Sequence, residues 1–168
     1  MTAVNPKDLI NLANIDSDTL ANSQNFGSAR KGIEARISIA AADSNDDVWE
    51  VAHLPANAVL KRIRISNDAI TGGTDYNITL ATRNALTGAL TLLGNAANGI
   101  LADALDLSSA SAFAQDGLKD VSRANRGKKL FELAGLTSAP ENNIIVIVMK
   151  GITTGTAAGL VVFDIEYQ

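Results

Sequence analysis

The sequence predicts an all-β protein, an antiparallel sandwich or barrel, and three observations carry that prediction. From Ile33 onward apolar residues recur every second position in runs of eight or nine residues, the period of half-buried strands. The runs are separated by clusters of Gly, Pro, Asn and Asp, the residues that turns require. The chain has 168 residues, of which 46% are hydrophobic but only 4% aromatic, enough for one domain with an aliphatic, alanine-rich core.

Residues 1–30 differ from the rest of the chain. "NPKDLINLANIDSDTLANSQNFGSAR" is rich in Asn, Asp and Ser, with scattered apolar residues. Pro6 after Asn5 suits the start of one short helix, with Leu9, Leu12 and Ile15 on its apolar stripe. The remainder of the segment is too polar to bury much by itself. It is read as an extended, partly helical N-terminal arm (1–30) that packs on the body (31–168) or on a partner.

The strands come in order. "IEARISIAA" puts Ile33, Ala35, Ile37 and Ile39 on one face. "DDVWEVAHL" alternates Trp49, Val51 and His53 with Glu50 and Ala52. In "AVLKRIRIS", Ile63 and Ile65 continue the face of Val59, while Arg62 and Arg64 share the other with Leu60 and Ser66. Lys61 falls on the apolar side, where a long stem reaches solvent. "DYNITLATR" places Tyr76, Ile78 and Leu80 together. Near the C-terminus "NNIIVIVMK" is apolar on both faces, the mark of a central strand. "GLVVFDIEYQ" sets Val161, Phe163, Ile165 and Tyr167 against Asp164 and Glu166. Residues 84–140 are less regular: "ALTGALTLLG" fits a hairpin arm or a helix. "ILADALDLSSASAF" has helical spacing at Leu101, Ala104 and Leu105, and "KKLFELAGL" fits a strand or one or two helical turns.

Composition excludes several functions. There is no cysteine, so no disulfide, thiolate zinc site or cysteine nucleophile. The net charge of −4 argues against polyanion binding by the whole molecule. No segment reaches the roughly 18 consecutive apolar residues of a membrane span. The start lacks a basic region followed by an apolar one, so a soluble protein without a secretory signal is expected. His53 is the single histidine and has no recognisable catalytic companions. "DSNDD" (Asp43–Asp47) has oxygen ligands for calcium but not the spacing of an EF-hand, and reads as a polar turn. "TGGTD" lacks the lysine of a phosphate loop and reads as a hairpin turn. Leu118–Lys129 is the most basic stretch, with Lys119, Arg123, Arg126, Lys128 and Lys129, yet it has no aromatic for stacking bases. No catalytic constellation stands out, and neither cofactor nor metal is implied. The chain reads as a scaffold or binding module rather than an enzyme.

Three pieces taken in order carry a resemblance: "VAHLPANAVLKRIRISNDAITGGTDYNITLAT", "GILADALDLSSAS" and "LFELAGLTSAPENNIIVIVMKGITTGTAAGLVVFDIEYQ". The succession resembles small structural proteins encoded among the head genes of tailed bacteriophages, the capsid decoration or cement proteins. The likeness spans about residues 48–168 and leaves out both the arm before residue 31 and the basic loop at 119–129. It implies a jelly-roll-like β-sandwich on the outside of an icosahedral shell, in the virion, made in the bacterial cytoplasm. It further implies binding to the major capsid protein across subunit junctions, as a trimer or dimer, without nucleic-acid or membrane partners. On that implication the arm and the basic stretch are the expected contacts. Leu9, Ile10, Leu12, Ile15 and Phe26 are the apolar anchors, and Arg123, Arg126, Lys128 and Lys129 face acidic capsid loops. Two other readings remain open: a head fibre, head–tail junction or tail protein, and a carbohydrate-binding or adhesion sandwich using Trp49 or Tyr76.

Overall fold

Residues 30–41, 43, 47–71, 75–93, 105–116, 127–152 and 157–168 are described in a computed structural model. They form strands β1 (Lys31–Ile39), β2 (Val48–Pro55), β3 (Leu60–Asn67), β4 (Asp75–Arg83), β5 (Leu90–Leu92), β6 (Leu105–Asp106), β7 (Ser111–Asp116), β8 (Ile144–Gly151) and β9 (Gly159–Tyr167). A single helical turn, α1 (Leu130–Leu133), precedes β8. The arm expected over residues 1–30 lies outside the described residues, Arg30 apart; Gly32–Tyr167 make up one unit.

The strands build two sheets. One has the order β1-β9-β3-β7, and the other β2-β8-β4-β5 with β6 also on β4. The registered pairs are antiparallel. The first four strands alternate between the sheets, and the last two insert between them, β9 between β1 and β3, β8 between β2 and β4. That winding is a jelly roll, in keeping with the sandwich expected from the sequence. The inner faces meet in an aliphatic core: Ile63, Ile65, Val161, Phe163 and Ile165 from one sheet, and Leu54, Ile78, Leu80, Ile145, Ile147 and Met149 from the other.

Two bulges alter the expected faces. In β2 the register slips between Glu50 and Ala52, with Glu50 opposite Val148 and His53 opposite Val146. One extra residue, Val51, flips the phase of the remaining half of the strand. His53 therefore shares the outer face with Glu50 rather than the inner face with Trp49, and Ala52 joins the core. In β3 the slip lies between Leu60 and Arg62, at Lys61. Leu60, expected beside the arginines, is buried in the core instead.

Two further expectations change, and two open ones resolve. The turn-rich segment containing "TGGTD" is not a hairpin, because β3 and β4 lie in different sheets and the chain crosses between them. The helical spacing around Leu105 gives strand in the described residues, with Leu105 in β6 and Leu105 and Leu107 both buried. "KKLFELAGL" forms one turn of helix. The Lys129 N–H is capped by Glu132 Oε2 at 2.8 Å. Gly135 at φ +78° follows the C-cap, with Leu136 N–H donating to Phe131 O and Gly135 N–H to Glu132 O. "ALTGALTLLG" resolves as a hairpin arm, with β5 at Leu90–Leu92.

Candidate interaction surface

The two outer faces of the sandwich differ in chemistry. On the β1-β9-β3-β7 sheet the outward residues are charged: Glu34 and Arg36 on β1, Arg62 and Arg64 on β3, Asp164 and Glu166 on β9. Arg62 pairs with Glu166, its register partner. Arg64 lies in register with Asp164 on β9. The three cations of "KRIRI" thus divide into two outward arginines facing acids across the strands and a lysine at the bulge.

On the other sheet the centre of the outer face is apolar. Val146 and Val148 of β8 and Ala81 of β4 are fully buried, with Leu90 and Ile144 packed against them. One polar bridge crosses this face. Glu50 on β2 accepts from His53 at 2.6 Å and from Arg83 on β4. Because β8 lies between β2 and β4, that ion pair spans two inter-strand steps, about 9–10 Å, and passes over the outer face of β8 at Val146 and Val148. The hydrogen bond from His53 and the guanidinium of Arg83 hold the Glu50 carboxyl below its ordinary pKa, against the opposing effect of its partial burial. Only the bulge at Val51 lets Glu50 and His53, three residues apart, point the same way.

At the end of β4 the chain turns tightly into β5. Asn84 Oδ1 accepts the N–H groups of Leu86 and Thr87, each at 2.9 Å. Asn84 N–H donates to Ala89 O at 2.8 Å, and Gly88 takes the left-handed conformation, φ +72°. This turn holds Leu86 at its tip, 96% exposed. Beside it lies a cleft of about 200 Å³ lined by Arg83, Asn84, Ala85, Leu86, Pro140, Glu141 and Asn142. Asn142 ties the two walls together, donating to Arg83 O at 2.9 Å and accepting from Ile144 N–H at 3.2 Å.

The residues singled out from sequence are only partly within view. Leu9, Ile10, Leu12, Ile15, Phe26, Arg123 and Arg126 lie outside the described residues. Lys128 and Lys129 are exposed just before α1, and Lys129 Nζ lies 5.8 Å from the centre of the Phe131 ring. In "DSNDD", the Asp43 carboxylate accepts the Ala40 N–H at 2.7 Å and closes a turn; residues 44–46 lie outside the described residues. Tyr76 is a core residue, 2% exposed, with its ring 6.0 Å from that of Trp49. Burial pushes its phenol pKa up, and it offers no face to a sugar. The sequence alone points neither to Leu86 nor to the bridge over β8. The signal for the apolar outer face is present in "NNIIVIVMK", a strand apolar on both sides.

No protein-family model matches the chain, and no curated protein matches it. Among solved structures it is similar to a chain in the capsid of Ralstonia phage GP4, with a TM-score of 0.56 and 19% identity over 83% of each chain. It is also similar to a chain in the capsid asymmetric unit of cyanophage Pam1, with a TM-score of 0.46 and 18% identity over 99% of this chain and 98% of that one. At such identity the first likeness speaks to the fold.

Proposed function

We propose that this chain is a virion structural protein of a tailed bacteriophage, a decoration or cement protein on the outside of the head that bridges major capsid protein subunits. The observation that carries the reading is the jelly-roll sandwich shared with a chain of the Ralstonia phage GP4 capsid over 83% of both lengths, in a sequence whose segments succeed one another as in the cement proteins. The action is mechanical. A protein that binds only the assembled shell stabilises it by linkage, because separating capsid subunits then also requires breaking cement contacts. Many symmetry-related copies multiply a modest contact.

In this reading the contacts come from the arm, residues 1–30, with Leu9, Ile10, Leu12, Ile15 and Phe26 as anchors, and from the basic stretch ending at Lys128 and Lys129. The protein works as a trimer or dimer. The test is deletion of the gene from the phage that encodes it. Heads lacking the protein should release DNA at lower temperature, and complete virions should carry it in hundreds of copies. Unchanged release together with a copy number of a dozen or fewer would refute it.

A further inference from the structure

Each sheet has two edges, whose unpaired N–H and C=O groups can take up a further strand. Among the described residues three of these edges are blunted. β2 carries the bulge at Val51 and ends in Pro55, which has no N–H. β5 and β6, three and two residues long, share the far edge of the same sheet. The ladder of β7 with β3 is broken by a register slip between Ile65 and Asn67. β1 differs. Among the described residues it ends its sheet, and over nine residues its exposed and more buried positions alternate without a break from Gly32 to Ile39. Its inward residues Ile33, Ala35 and Ile37 are only partly buried, whereas Phe163 and Ile165 of the adjoining β9 are fully buried. A strand added beyond β1 would cover them.

We infer that β1 is a self-association edge, where the β1 strands of two copies pair antiparallel about a two-fold axis at Ala35 and join their sheets into one. An isologous interface requires a patch that complements itself, and Ile33-Glu34-Ala35-Arg36-Ile37 does so on both faces. On the inner face Ile33 of each copy stands opposite Ile37 of the other, with Ala35 opposite Ala35, so a large–small–large row meets its own reverse. On the outer face Glu34 of each copy stands opposite Arg36 of the other. The contact that Glu34 and Arg36 already make within one strand, at 2.7 Å, is kept. The four side chains alternate in sign around a square, so each charge gains a second opposite neighbour without losing the first. The adjacent registers fail. Antiparallel partners point to the same face, so moving the axis by one residue sets Glu34 against Glu34 or Arg36 against Arg36. An unrelated strand would satisfy the backbone groups equally well, but the reversal of both size and charge about one residue fits a second copy of β1.

The inference rests on the proposed reading only in taking the chain to be a homo-oligomer. Its test is sedimentation of the purified full-length chain at micromolar concentrations, alone and with charge-reversed variants. The wild type should sediment as a dimer. Glu34→Arg and Arg36→Glu should each raise the dissociation constant about tenfold or more, because two opposed pairs in every dimer turn from attraction to repulsion. An equimolar mixture of the two variants should recover the wild-type association, since every opposed pair is then again of opposite sign. Mixing would not repair a loss of folding, and each variant should keep the wild-type circular dichroism, because both side chains are exposed. A chain that stays monomeric, one that sediments as a trimer, a dimer that neither reversal weakens, or a mixture no stronger than its components would overturn the inference. None of these outcomes bears on capsid stability after gene deletion, so the cement reading fails or stands separately.

Discussion

Replacing Glu50 with Gln removes the charge that joins β2 to β4 across β8 while keeping the side chain's size. Glu50 holds two partners, His53 and Arg83, and the three side chains are 32%, 47% and 34% exposed. An ion pair this open to solvent is worth roughly 0.2–1 kcal/mol, so losing the pair with Arg83 and the charge on the acceptor of the His53 hydrogen bond should cost about 1 kcal/mol at neutral pH. For a chain of this length that lowers Tm by about 2–4 °C. Acid should abolish the difference. The folded-state pKa of Glu50 lies below its ordinary value of 4.5, so its contribution is complete above that value and disappears as pH falls through the lower folded pKa. Thermal melts of Glu50→Gln and wild type should therefore separate at pH 7 and converge at strongly acid pH. An Arg83→Met variant, with the double variant, gives the coupling between the two ends of the bridge. Equal melting at pH 7, or a gap that persists unchanged in acid, would show that the bridge contributes nothing electrostatic.

Three other outcomes are expected. Asn67 is 7% exposed and its amide nitrogen faces the carbonyls of Asp68, Leu107 and Ser109 at 2.8, 3.2 and 2.9 Å. Asn67→Asp should cost about 1–3 kcal/mol, measured by urea unfolding, and more at pH 7 than in acid, because a carboxylate among carbonyls is held protonated and its ionisation opposes folding. A Cβ at Gly159 would stand 2.7 Å from Ile70 Cγ1 and 3.3 Å from Asp68 Cβ. Gly159→Ala should therefore destabilise by roughly 1–3 kcal/mol, and Ile70→Ala in the same chain should show favourable coupling in a double-mutant cycle. Removing residues 1–30 should abolish capsid binding in a sedimentation assay while the remainder keeps the wild-type circular dichroism. Full occupancy of shells by the truncated chain would refute the role given to the arm.

Most strands are legible in the sequence because a period of two survives in any half-buried strand, and β4 and β9 match their apolar runs almost to the residue. What is not legible depends on partners distant in sequence. The bulges at Val51 and Lys61 are invisible in the residues themselves, since a slipped register is defined only against β8 or β9. This is why a strict period of two puts His53 and Leu60 on the wrong faces. Turn residues such as Gly72 and Gly73 report that the chain bends, not whether it returns to the same sheet. Leu101 and Leu105 are spaced as on a helix, yet Leu105 and Leu107 alternate equally well as strand, and tertiary pairing with Tyr76 decides for strand. The apolar outer face is foreshadowed by "NNIIVIVMK". Its bridge is not, because Glu50 and Arg83 are brought together only by the sheet order.

The position of β8 and β9 also sets the timing of folding. β1 has β9 as its neighbour in the sheet, and β2 has β8. While the chain is being synthesised, the first two strands therefore have no lasting partner until residues 144–167 have left the ribosome. Such non-local pairings place a protein among the slow folders, in the millisecond-to-second range. During that interval the apolar faces of β1 and β2 are open to other nascent copies. The charged residues on the outward side of β1, Glu34 and Arg36, pair with each other and put solvated groups along the first of the described strands. The same winding that locks both sheets together at the end thus makes the final two strands the step that commits the chain to its fold.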